Sequence, residues 1–62
     1  MQVKYRHKTW TFNESLTVIQ LLNRVDLLPE NVLVVRNGLL VTEDQRLALG
    51  DEVKIVSVIS GG

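Results

Sequence analysis

The chain has 62 residues, 45% of them hydrophobic, and no cysteine. A chain of that size buries only about 60% of its unfolded surface, which leaves no room for an enclosed catalytic cleft, and the missing thiols exclude disulfides, thiolate metal ligands and a cysteine nucleophile. Seven basic and seven acidic side chains cancel, which argues against direct nucleic-acid binding; no apolar run approaches the about 18 residues of a membrane span, so a soluble, cytoplasmic protein is expected.

Residues 2–7 alternate, with Val3 and Tyr5 on one side and Gln2, Lys4 and Arg6 on the other, the period of a half-buried strand. A turn is expected at His7-Lys8, followed by a second strand over residues 9–12 with Trp10 and Phe12 on one face. Asn13-Glu14-Ser15 breaks that pattern. Thr17 and Gln20 then form a Thr-x-x-Gln capping box. Val18, Leu21, Leu22 and Val25 follow at i, i+3, i+4 and i+7, one apolar stripe. The spacing predicts a helix over residues 18–25, ending near Asp26 and before Pro29.

Residues 31–36 form a short apolar run that reads as a strand. Asn37-Gly38 is a hairpin signal, because both central positions of a type I′ turn need φ > 0. A return strand is expected over residues 39–42. Residues 42–50 are mostly polar, with Leu47 and Leu49 as expected anchors. After a Gly50-Asp51 turn, Val53, Ile55, Val56, Val58 and Ile59 are β-branched and suit a packed final strand.

One amphipathic helix can cover one face of a mixed sheet, which gives a two-layer α+β domain over residues 1–62. The expected sheet has four to five strands, with the first and last side by side and parallel. Val3, Leu21, Leu22, Val25, Leu47, Val53 and Ile55 are the expected core. If Val53 and Ile55 face the helix, Val56 and Val58 face away, and Val32 or Val34 joins them. An apolar patch of that kind reads as a docking surface.

Ser60-Gly61-Gly62 has almost no side chain, so it is expected to be flexible and to protrude. Its distinctive group is the carboxylate of Gly62. Such a carboxylate is inert until it is activated, and glycine lets it pass a narrow channel without a clash. His7 reads as a solvated turn residue, since one histidine without clustered partners cannot close a metal site. The acidic pairs Glu43-Asp44 and Asp51-Glu52 read as solvated turns.

The chain resembles the small ubiquitin-like β-grasp sulfur carriers: ThiS of thiamine synthesis, MoaD of molybdopterin synthesis and relatives in tRNA thiolation. The matching pieces are Leu16-Thr17-Val18 with Leu21-Leu22, and Val34-Val35-Arg36-Asn37-Gly38 with Leu40-Val41. Leu47-x-x-Gly50-Asp51-Glu52-Val53 and Ile55-Val56 follow, running into Ser60-Gly61-Gly62. Ser60 stands where the thiamine branch usually has a third glycine. The resemblance implies that a ubiquitin-activating-type adenylating enzyme uses ATP to adenylate Gly62. A sulfurtransferase or cysteine desulfurase then supplies sulfur, and a synthase or tRNA thiolase accepts it. It implies no bound cofactor and no metal. Gly62 and Gly61 are the expected working residues, with Val56, Val58, Val34 and Ser60 as partner contacts. Conjugation to lysines through Gly62, and a plain interaction module, are the two alternatives.

Overall fold

The computed structural model describes residues 1–59. Its elements in chain order are β1 (Gln2–Tyr5), β2 (Lys8–Thr11), β3 (Leu16–Thr17), α1 (Val18–Arg24), a 3-10 turn (Pro29–Asn31), β4 (Val32–Arg36), β5 (Leu39–Val41), β6 (Arg46–Leu47) and β7 (Glu52–Ser57). Five of the strands form one mixed sheet in the order β2-β1-β7-β4-β5. The first strand and the last lie side by side and parallel, with Val3 opposite Val53 and Tyr5 opposite Ile55. That arrangement, with one helix on one face, is the α+β ubiquitin-like β-grasp expected from the sequence.

The helix forms where its local signals put it. Thr17 Oγ1 accepts from the Gln20 backbone N–H at 3.2 Å, and Gln20 Oε1 accepts from the Thr17 N–H at 3.0 Å. Two further N–H groups of the first turn would otherwise lack partners. Val18 N–H donates to the Gln45 carbonyl at 2.9 Å and Ile19 N–H to that of Glu43 at 3.0 Å. The loop after β5 thus closes the start of α1. At the other end Asp26 takes φ +60°. The Asp26 N–H donates to Asn23 O and the Leu27 N–H to Leu22 O, the two bonds of a Schellman cap. The expected stop near Asp26 therefore has a physical cause.

The core lies between α1 and the inner face of the sheet. Val3, Leu16, Val18, Leu21, Leu22, Val32, Val34, Leu47, Val53 and Ile55 are buried there. Val25, Trp10 and Phe12 are half-buried against it. Of the expected core residues, Val25 therefore sits at the margin. Leu47 is anchored by a two-residue ladder in which Leu16 lies opposite it, and the Ser15 hydroxyl donates to its carbonyl at 2.7 Å. Leu49, the other expected anchor, is exposed. The chain is already turning there, and the Asp51 N–H bonds back to the Ala48 carbonyl. The first hairpin also differs by one residue. Tyr5 pairs with Lys8, so the turn is Arg6-His7, with Arg6 at φ +56°. The second hairpin follows its signal, with Asn37 at φ +49° and Gly38 at φ +84°.

Leu22 is the residue whose loss tests this packing. It is 1% exposed, and Leu22→Ala is expected to cost about 2–5 kcal/mol in chemical denaturation. A change within about ±0.5 kcal/mol, the size of a surface substitution, would place Leu22 outside the core.

Candidate functional site

The chain leaves the fold from the centre of the sheet. β7 is held by β1 on one side and β4 on the other. Its last described backbone bond runs from the Val58 N–H to the Asn31 carbonyl at 2.9 Å. Val58 and Ile59 are both exposed. The expected protruding tail, Ser60, Gly61 and Gly62, lies outside the described residues.

Strand alternation divides β7 cleanly. Val53 and Ile55 point into the core, while Glu52, Lys54 and Val56 lie on the outward face. Register then fixes what stands beside them. Leu33 is opposite Val56, and Val35 is opposite Lys54. Leu40 is opposite Val35 on the edge strand. Leu33 is 45% exposed, Leu40 65% and Val56 41%. Together with half-buried Val35 they make an apolar patch on the outward face, near where β7 ends.

One sequence expectation fails here. Val34 was expected on this outward face, with Val32 as the alternative. Val34 is 3% exposed and Val32 7%, both in the core. The reason is register: Val34 lies opposite Ile55 and Leu33 opposite Val56, so the outward residues of β4 are Leu33 and Val35. Leu33 and Leu40 were missed altogether. Their signal is available only once the pairing of β4 with β7 is known.

The turn before β7 is tied to the hairpin beside it. Asp51 Oδ2 accepts from the Ala48 N–H at 2.8 Å, and Asp51 Oδ1 accepts from Asn37 Nδ2 at 3.0 Å. Asn37 Oδ1 in turn accepts from the Glu52 N–H at 2.9 Å. Arg36 Nε stands 3.9 Å from Asp51 Oδ2. The Ala48 N–H, then the Asn37 amide and the Arg36 charge, hold the Asp51 carboxyl below the usual carboxylate range. Asp51 was expected to be a solvated turn residue. It is instead the staple between the two turns that flank β4 and β7. Asp44 is also lowered, chiefly by the Thr42 hydroxyl, which donates to it at 2.6 Å.

Among the described residues, no group of three His, Asp or Glu side chains stands where it could hold a metal. No helix there is long and apolar enough to cross a membrane.

The fold and the face define a ubiquitin-like β-grasp protein with its C-terminal strand at the sheet centre. The sequence pattern of the ThiS family matches residues 2–62, and the chain belongs to that family. Its members are small sulfur carriers rather than enzymes, which work with an adenylating enzyme and a sulfur-accepting partner. A comparison with curated proteins finds no match.

The Asp51 staple predicts a pH dependence. A carboxyl whose pKa is lowered on folding stabilises the fold at neutral pH, and that contribution disappears as pH falls through the lowered value. Asp51→Ala is therefore expected to melt below wild type at pH 7. The gap should narrow as the pH is brought below the usual carboxylate range. Equal gaps at pH 7 and in acid would show that the charge is not what matters.

Proposed function

We propose that this protein carries sulfur on the carboxylate of Gly62. The observation that supports the reading is the placement of β7. It runs through the sheet centre and brings Val58 and Ile59 to the surface beside the patch of Leu33, Leu40 and Val56. The family match extends through residue 62 and so includes Ser60, Gly61 and Gly62.

In this reading an adenylating enzyme joins the Gly62 carboxylate to AMP, and pyrophosphate leaves ATP. The acyl adenylate makes the Gly62 carbonyl electrophilic. The outer sulfur of a persulfide on a sulfurtransferase or cysteine desulfurase attacks that carbonyl, and a C–S bond forms as AMP leaves. A thiol then cleaves the S–S bond of the resulting acyl disulfide, which leaves a thiocarboxylate on Gly62 and a disulfide on the donor. A synthase of thiamine or molybdopterin assembly, or a tRNA thiolase, then accepts the sulfur. The chain supplies no catalytic group. It supplies the reacting carboxylate, with Gly61 and Ser60 as slim neighbours for a channel, and an outward face that includes Val56 and Val58 for docking.

Position of the carboxylate is the point to test. Deleting Gly62 is expected to abolish sulfur transfer while leaving thermal stability nearly unchanged, because a terminal residue adds little to folding. Adding one Ala after Gly62 is expected to do similar harm. Misplacement by about 1 Å can cost 10²-fold in such chemistry. The measurement is intact mass after incubation with ATP, the adenylating enzyme and a sulfur source. Wild type should gain one oxygen-to-sulfur exchange and both variants should not. Sulfur gain by the truncated chain would leave the β-grasp as an interaction module.

Val56→Asp tests the docking face. The fold should survive, since Val56 lies outside the core, but affinity for the adenylating enzyme should fall because the new charge must be desolvated at the contact. Unchanged affinity would make the face ordinary sheet surface.

A further inference from the structure

The outward face carries a charge arrangement that the fold does not explain. Register places Lys4 directly beside Lys54 across the parallel β1–β7 pair, about 4.8 Å apart along the hydrogen-bonding direction. Both side chains are exposed on the same outward face. Like charges side by side across a strand pair are destabilising. Three other cations have partners. Arg24 meets Glu14 at 2.9 Å, Arg36 faces Asp51, and Arg6 lies over the Tyr5 ring at 5.3 Å. Lys4 and Lys54 make no ion pair or hydrogen bond with other side chains among the described residues, including Glu52 one row away on the same face.

The row through this pair reads Thr9, Lys4, Lys54, Val35, Leu40. It therefore passes from polar to cationic to apolar, and its apolar end merges with Leu33 and Val56. A shallow hollow lined by Gln2, Lys4, Val35, Asn37, Glu52 and Lys54 lies along it. A purely apolar partner seated on Val35 and Leu40 would strip water from Lys54 and give nothing in return, a costly burial. A partner with a carboxylate at that place would offset both the desolvation and the Lys4–Lys54 repulsion.

Building on the docking reading above, we propose that Lys4 and Lys54 form a receptor for an acidic side chain of the adenylating enzyme. That side chain stands beside an apolar segment that covers Leu33, Val35, Leu40 and Val56. Lys54 precedes Val58 by four residues, about 13 Å of extended chain. The partner's carboxylate therefore lies about that far from the point where the tail enters it. The pair sets orientation and encounter rate, and the apolar patch holds the complex together.

The test measures binding of the purified adenylating enzyme from the same organism to wild type, K4E/K54E, K4R/K54R and V56D. Folding of each is checked first by urea denaturation; K4E/K54E exchanges one exposed like-charge pair for another and is expected to unfold in a single cooperative transition as wild type does. At about 0.05 M salt, K4E/K54E is expected to raise Kd at least about tenfold, mostly through slower association. At about 0.5 M salt that penalty should shrink several-fold, because exposed charges are screened. K4R/K54R should stay within about twofold, since arginine also pairs with carboxylates. Wild-type binding by K4E/K54E, with V56D still impaired, overturns the acidic contact and keeps the docking face. Wild-type binding by both overturns the docking reading as well. A penalty equally large at both salt concentrations overturns the charge basis of the contact.

Discussion

Everything in this fold depends on one pairing between the two ends of the sequence. β1 and β7 lie parallel, with Val3 opposite Val53. Parallel neighbours cannot be joined by a tight turn and need a long crossover. Here the crossover holds α1, the β4–β5 hairpin and the loop that carries Leu47. The helix buries Leu21 and Leu22 against the sheet only because that pairing has brought both strands beneath it. A slip of one residue would turn Val53 and Ile55 toward solvent and Val56 toward the helix. Core and docking face are thus two readings of a single register.

The register has a local lock. Leu47 anchors the loop in the core, and Asp51, four positions on, binds the Ala48 N–H and the Asn37 amide. The Asn37 N–H donates to the Glu52 carbonyl at 2.8 Å, which completes the tie. The start of β7 is therefore fixed against the β4–β5 turn. This gives the Leu-x-x-Gly-Asp-x-Val spacing a structural meaning for Leu47, Asp51 and Val53. Gly50 has space for a Cβ and does not take a left-handed φ, and nothing in the structure explains a glycine there.

What the sequence made legible was local chemistry. The Thr17–Gln20 box, the Leu21-Leu22 stripe and the Asn37-Gly38 turn each act within a few residues, and each stands where its spacing put it. The parallel β1–β7 pair was legible too, because two apolar strands flank a single helix. The phase of β4 was not. Val32-Leu33-Val34-Val35 is apolar throughout, so its alternation is silent until Val56 stands opposite Leu33. The Leu16–Leu47 ladder was equally hidden, since two residues show no period and their partners are distant in sequence. Asp51 looked like surface because an adjacent acidic pair usually is surface. Its partners, Ala48 and Asn37, come from two different turns. Of the candidate site, Val56 and Val58 were placed on the exposed surface from alternation alone, whereas Leu33, Leu40 and the Lys4–Lys54 contact required the sheet order.

The central place of β7 also has a mechanical consequence. A strand at the edge of a sheet can be peeled away one hydrogen bond at a time. β7 is bonded along both sides, to β1 and to β4, and a pull on Ile59 along the strand axis loads both ladders at once in shear. The Val58 N–H bond to Asn31 adds a further clamp at the exit. Tension on that end of β7 is therefore met by two ladders at once and passes to both β1 and β4.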